Sequence, residues 1–182
     1  MSLLDAFHTT QKNFDPKKDS INGSFDKLPE GEYTVSLDST SHFVSQKTGW
    51  EQLSFKMMVI DGEHAGQSEF VGVNLDEKKK DGSPMPDFVV MKNIKTLTTI
   101  GALVGLTITD EMITGETVTD VYEKLVDAFE PYKGKMLIMT IKEQANKNDP
   151  DNPYRNYEFQ EYQDDPFEDN ASSNKPDDGM PF

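Results

Sequence analysis

The order in which two hydrophobic periodicities follow one another constrains the fold of this chain more than any other feature. Apolar and polar residues first alternate in "EYTVSL", a strand that can continue through "SHFV", and again in "QLSFKMMV". This alternation is typical of a strand with one buried face, and "QSEFVGVNLDE" reads as a third strand. From Phe88 the apolar residues recur every three or four positions, which predicts helix. Strand composition returns in "GKMLIMTIKEQ" and "YRNYEFQEY".

The helical part divides into two segments. Val90, Ile94 and Leu97 share one face of a first helix. Thr117 and Asp120 have the spacing of a capping box, which predicts where a second helix begins. Five strands with a helical insertion between the third and the fourth are the layout of an OB-fold, a small, partly open barrel. An antiparallel α+β sandwich fits the same pattern less specifically.

Composition divides the chain into three regions. We predict a flexible N-terminal arm over residues 1–27 and an OB-like domain over 28–162, with its helical insertion at about 88–130. Residues 163–182 carry Asp, Asn, Ser and Pro without periodicity, which predicts a disordered acidic tail. In the arm, Leu3, Leu4 and Phe7 could form one apolar helical turn.

The net charge of −15 limits the kinds of ligand this protein can hold. Residues 161–182 contain seven carboxylates and one lysine, which leaves −9 on the first 160 residues. Taken alone, this charge argues against a broad electrostatic grip on nucleic acid, and any anion site must be local. The chain has no cysteine and no apolar run of about 20 residues, the length of a membrane span. We expect a cytoplasmic protein without disulfides or thiolate metal sites, and no contact with membranes.

The tail finishes on "DDGMPF", in which two carboxylates precede three residues of apolar or rigid character. A tail that only increases solubility gains nothing from Met180, Pro181 and Phe182. We interpret the segment as a docking peptide in which a partner pocket takes the Phe182 ring and its α-carboxylate. Asp177 and Asp178 would meet a basic rim and speed the encounter.

Two stretches resemble known families. "DDGMPF" is similar to the acidic C-terminal tip of bacterial single-stranded-DNA-binding proteins, although Gly179 stands where those tips have a carboxylate. "FDKLPEGEYTVSL" and "SQKTGWEQLSFKMMVIDGEHAGQ" resemble the single-stranded-DNA-binding-like proteins of phages and prophages of Gram-positive bacteria. The matching positions are Phe25, Leu28, Pro29, Gly31, Tyr33, Gly49, Gly62 and Gly66. The resemblance implies an OB-type fold, single-stranded DNA as ligand, and no catalysis.

Binding of single-stranded DNA needs flat aromatic faces for the bases and a few cations for the phosphates. In an OB-fold the ligand crosses strands 2 and 3 and the flanking loops. The residues that this places at the DNA are Phe43, Lys47, Trp50, Lys56, Phe70, Lys78, Lys79, Lys80, Tyr154, Arg155, Tyr157 and Phe159. Trp50 is the strongest candidate for stacking because it follows a glycine turn and is out of phase with the buried face. Phe70 and Phe159 could equally belong to the core.

No other pattern predicts chemistry. His8, His42 and His64 lack metal-ligand spacing, and neither a phosphate-cradling glycine motif nor a catalytic triad is found. We therefore predict a non-enzymatic protein without cofactors, which coats single-stranded DNA in phage replication, recombination or repair and recruits partners through its tip. The acidic composition also fits a DNA-mimic inhibitor of a nuclease or another DNA-binding protein. A virion scaffold is a further alternative, and the oligomeric state stays open.

Overall fold

The structure of the protein is a computed structural model, and it describes residues 2–5, 7–8 and 27–164. Within these residues the structure has five strands and two longer helices. In chain order they are β1 Gly31–Val44, β2 Glu51–Val59, β3 Ser68–Val73, α1 Asp87–Val104, α2 Val118–Phe129, β4 Met136–Gln144 and β5 Tyr154–Glu161, with a 3₁₀ turn over Glu130–Tyr132.

The strands form one antiparallel sheet in the order β3-β2-β1-β4-β5. The long β1 lies at the centre, where it pairs with β4 along its first part and with β2 along the rest. Both helices lie between β3 and β4 in the chain. The prediction of a mainly β fold with a helical insertion between the third and fourth strands is therefore confirmed.

Alternation along the strands separates a core side from an outer side. Leu53, Phe55, Met57 and Val59 of β2 are at most 1% exposed, as the sequence pattern predicted. They pack with inward residues of the neighbouring strands and of both helices. The largest of these partners are Leu37, Leu97, Ile100, Tyr122, Leu125, Phe129, Leu137 and Met139.

A β-bulge interrupts β1 between Leu37 and Ser39. Leu37 lies opposite Met57, whereas Ser39 already lies opposite Lys56, so Asp38 is an extra residue in the strand. A bulge bends and twists its strand. This one changes the phase of β1 and turns the Asp38 carboxylate to the Lys56 ammonium, 2.8 Å away.

Helix α2 begins at the predicted position and is fixed to the sheet by its buried face. The Thr117 side chain accepts a hydrogen bond from the Asp120 N–H, and the Asp120 carboxylate accepts one from the Thr117 N–H, so the capping box is confirmed. Farther along, the Phe129 ring meets Phe55 of β2 edge-on at 4.9 Å. The Tyr122 hydroxyl accepts a hydrogen bond of 2.8 Å from the Leu75 N–H, just after β3.

Helix α1 contacts β3, β4 and β5. Its buried side carries Leu97, Ile100, Gly101 and Val104. The helix ends at Gly105, whose positive φ of 97° is a left-handed conformation that favours glycine.

Side chains join the two edge strands of the sheet. Glu69 of β3 accepts hydrogen bonds at its Oε1 from Arg155 Nε at 3.0 Å and from Tyr157 Oη at 2.6 Å, both on β5. Arg155 also donates to Glu143 Oε1 and to the Leu28 carbonyl, at 2.6 and 2.8 Å. We call this contact between β3 and β5 the seam. Within the described residues no backbone ladder joins these strands, so the sheet curls until its edges meet through side chains.

The Leu-Pro-x-Gly-x-Tyr turn at the start of the domain is anchored at both ends. Leu28 is 1% exposed, and the Tyr33 hydroxyl donates a hydrogen bond of 2.7 Å to the Pro29 carbonyl. The Gly-x-x-x-Gly connection between β2 and β3 places Gly62 and Gly66 at positive φ. These residues therefore fix the path of the chain.

Parts of the predicted organisation lie outside the described residues. They include Phe25, most of the N-terminal arm, and the tail from residue 165 onward. Of the arm, residues 3–5 and 7–8 are helical, and Leu3, Leu4 and Phe7 are 90%, 63% and 56% exposed.

Replacing Glu69 with alanine should destabilise the protein by about 3 kcal/mol, because it removes one of the two carboxylates paired with the nearly buried Arg155 and also the acceptor of the Tyr157 hydroxyl. Glu158→Ala is the matched control, since Glu158 pairs with Lys142 at an exposed site and should cost less than about 1 kcal/mol. Urea unfolding followed by circular dichroism measures both. Equal losses in the two variants would mean that the seam does not hold the sheet edges together.

Stability should fall as pH rises from about 10, where tyrosine ordinarily ionises, to about 12. Burial raises the pKa of Tyr157 to about 12, with Glu69 adding to the shift, and burial likewise raises the pKa of Tyr122 to about 12. In this window the unfolded chain releases protons that the folded chain retains, so unfolding becomes more favourable.

Melting temperatures across this pH range test the effect. Tyr157→Phe should make the alkaline decline shallower, because the variant lacks one of the two phenols whose pKa burial raises to about 12. An identical decline in the wild type and Tyr157→Phe would contradict the assignment.

Candidate nucleic-acid interface

The side of β1, β2 and β3 that faces away from the core forms one continuous surface, which we call the outer face. Strand register sets its composition, because residues opposite each other in an antiparallel pair point to the same side. The outer face consists of Ser36, Ser39, Ser41, Phe43, Gln52, Ser54, Lys56, Met58, Ser68, Phe70 and Gly72.

Small residues make the centre of the outer face flat. Ser41, Ser54 and Gly72 follow one another across the three strands. A Cβ on Gly72 would collide with the side-chain oxygen of Gln52, so the glutamine side chain extends over this glycine. Ser54 is only 7% exposed, so the middle of the sheet presents the Gln52 side chain and no large apolar or charged group, and an extended polymer can lie across it.

Exposed aromatic rings stand on either side of this flat centre. Phe43 at the end of β1 is 47% exposed, and Phe70 of β3 is 61% exposed. Phe43 lies opposite Gln52 of β2, and Phe70 lies opposite Lys56. The two positions are therefore four β2 residues apart, about 13 Å at ordinary strand rise. Trp50 is 39% exposed and comes two residues before Gln52. The Ser45 N–H donates to the Trp50 carbonyl at 2.8 Å, which extends the β1–β2 pairing to this residue.

The charge on the outer face is small and nearly balanced. Lys56 lies beside Phe70, but its ammonium is 2.8 Å from Asp38, and both side chains are about one-third exposed. Lys47 is exposed in the β1–β2 loop next to Trp50. A phosphate that approaches Lys56 therefore competes with the carboxylate that the β1 bulge brings there.

The three consecutive lysines occupy a compact turn. The Met85 N–H bonds to the Glu77 carbonyl and the Lys79 N–H to the Ser83 carbonyl, both at 2.8 Å, so residues 77–85 fold back on themselves. Lys78, Lys79 and Lys80 are exposed. They follow β3 in the chain and are not part of the outer face.

The predicted β5 residues divide between the two sides of the sheet. Arg155, Tyr157 and Phe159 point inward, where Arg155 and Tyr157 form the seam and Phe159 packs against the core. Tyr154 is out of phase with them and is exposed. Arg155 contacts Glu69. Tyr154 and Phe70 are the sequence neighbours of these two seam residues, so both lie next to the seam.

The structure therefore brings together Phe43, Lys47, Trp50, Lys56 and Phe70, with Tyr154 at the margin. Sequence reasoning missed the flat centre as part of the site, although the alternation of β2 had already placed Gln52 and Ser54 on this side. It also missed Asp38, whose position depends on the bulge. The predicted docking residues Asp177, Asp178, Met180, Pro181 and Phe182 lie outside the described residues.

Other polar clusters serve the fold. His42 Nε2 lies 2.7 Å from Glu51 Oε2, to which the Thr119 hydroxyl also donates at 3.0 Å, and this contact joins α2 to β1 and β2.

Among the described residues, no group of three or more His, Cys, Asp or Glu side chains could hold a metal ion. No helix in the described part of the chain is long and apolar enough to cross a membrane.

Residues 13–100 match the profile of a family described as "Protein of unknown function (DUF669)". The matched segment covers slightly less than half of the chain. It contains β1, β2 and β3, and therefore the whole outer face, and it ends within α1. No curated protein matches the chain.

Proposed function

We propose that this protein binds single-stranded DNA on its outer face, without catalysis and without a cofactor. The observation that carries the proposal is the combination of exposed Phe43, Trp50 and Phe70 with a flat, nearly uncharged centre on one side of three adjacent strands. Aromatic stacking tolerates any base, since every base has a π-face. An acidic protein can hold a nucleic acid in this way with few phosphate contacts.

The strand arrangement supports assigning the domain to the OB-fold. An OB barrel closes in the order β1-β2-β3-β5-β4, and opening it between β3 and β5 gives the order β3-β2-β1-β4-β5 seen here. The seam lies at this opening, and the helices lie between β3 and β4 as in that fold. OB-folds bind oligonucleotides across strands 2 and 3, which are two of the three strands of the outer face.

The resemblance to phage and bacterial single-stranded-DNA-binding proteins supplies the biological role. We place the protein on DNA exposed during phage replication, recombination or repair, where coating prevents re-annealing and nuclease attack. Residues 177–182 would recruit partner proteins while the domain holds DNA. Binding should depend little on sequence, because stacking and phosphate contacts carry little base information.

The net charge of −15 also favours one alternative, a DNA-mimic inhibitor. A mimic would present carboxylates to its target, whereas the outer face presents aromatic rings and small polar groups. The two functions differ in a gel shift with poly-dT, which a mimic would not bind.

Trp50→Ala and Phe70→Ala should each weaken binding to an oligo-dT by about 1–3 kcal/mol, roughly 5- to 150-fold, because each removes one stacking surface. Phe88→Ala is the matched control, since Phe88 is 73% exposed but lies on α1. Fluorescence anisotropy of a labelled oligonucleotide at fixed salt gives the affinities.

Circular dichroism should show that all three variants keep their fold. If Phe88→Ala weakened binding as much as Phe70→Ala, the outer face would not be the binding surface. If neither the wild type nor any of the three variants bound oligo-dT, the result would favour the DNA-mimic function.

Asp38→Asn should strengthen binding and steepen the dependence of log K on log[salt] by about 0.7, because it frees Lys56 for one phosphate contact. Asp127→Asn removes the same charge from the exposed side of α2 and should leave the salt slope unchanged. Anisotropy titrations at several salt concentrations measure both variants. An unchanged slope for Asp38→Asn would show that Lys56 does not touch the phosphates.

A further inference from the structure

A second surface with an apolar floor lies between α1 and β5, and no residue of the outer face lines it. This groove has a volume of about 500 Å³ and includes Phe88, Met91 and Lys95 of α1 and Phe159 of β5. Phe88 is 73% exposed and Met91 is 57% exposed. Large apolar side chains with this much exposed surface on a charged protein are typical of an interaction site.

The groove is also locally basic on an acidic protein. Lys92 and Lys95 line it from α1, and Lys92 Nζ is 2.9 Å from Asn156 Oδ1, so it carries no carboxylate partner in that contact. The one carboxylate among the lining residues, Glu158, is paired with Lys142 at 2.9 Å. The rim therefore carries excess positive charge beside an apolar floor.

The segment 177–182 has the complementary composition, with Asp177 and Asp178 followed by Met180, Pro181 and Phe182. It is also joined to the chain close to the groove. Phe159 lies five residues before Asp164, about 17 Å along a strand. The thirteen residues that follow Asp164, up to and including Asp177, can span up to about 43 Å, so the segment can reach back to the groove.

We propose that residues 177–182 dock in the groove between α1 and β5 of their own chain. The Phe182 and Met180 side chains occupy the floor beside Phe88 and Met91, and the two aspartates face Lys92 and Lys95. The docked segment is withheld from partner proteins until they compete for it. This inference does not rest on DNA binding, because no residue of the outer face takes part.

The absence of cysteine from the chain makes a direct test practicable. A nitroxide attached to the full-length chain at Ser173→Cys, near the docking segment but outside it, broadens nearby amide signals in ¹H–¹⁵N spectra. The expected result is loss of intensity for Met91, Lys95 and Phe159, with Lys56 and Phe70 unaffected. Lys95→Glu should restore the lost signals, whereas the control Lys147→Glu, an equal charge change at an exposed loop position, should not.

Mixing ¹⁵N-labelled protein without nitroxide with unlabelled protein that carries it identifies the source of the broadening. Loss of the same signals in this mixture would assign the contact to a second copy and overturn the proposal. Broadening at the outer face, or broadening that Lys95→Glu does not reverse, would also overturn it. None of these three outcomes changes the affinity for oligo-dT. Failure of the docking proposal is therefore distinguishable from failure of the proposed function.

Discussion

The seam is the contact on which the rest of the structure depends. Glu69 of β3 holds Arg155 and Tyr157 of β5 by hydrogen bonds of 3.0 and 2.6 Å, although Glu69 and Arg155 are 86 residues apart in sequence. A five-stranded sheet has two edges with unpaired backbone groups, and closing the sheet on itself reduces this exposure. The seam holds the curled sheet with its edges together, so that one side encloses the core and the other remains as the outer face.

This arrangement makes the proposed binding of single-stranded DNA compatible with an acidic protein. The outer face carries rings and small groups, and its main cation is held beside a carboxylate. Affinity would come from stacking and less from phosphate contacts, so association would depend weakly on salt. No residue of the outer face lines the groove between α1 and β5, so the two proposed ligands, a DNA strand and a peptide, would contact different residues.

Much of the fold could be predicted from local patterns. The alternation of Leu53, Phe55, Met57 and Val59 predicted the buried face of β2, and Thr117 with Asp120 predicted where α2 begins. In each case the signal lies within a few residues of the element it describes.

The site was harder to predict because it depends on contacts between distant segments. Arg155, Tyr157 and Phe159 share one side of β5, but only the contact with Glu69 decides that this side faces inward. The Asp38–Lys56 pair depends on the β1 bulge, which no local sequence pattern predicts. The groove between α1 and β5 likewise needs both elements in place before the exposed positions of Phe88 and Met91 become meaningful.

The most direct measurement is a map of amide chemical-shift changes in the full-length protein as a short oligo-dT is added. Binding on the outer face should give changes that concentrate on Trp50, Lys56, Phe70 and Phe43, together with quenching of the fluorescence of the chain's single tryptophan. Absence of shift changes at saturating oligonucleotide, or changes centred on the groove between α1 and β5, would contradict it.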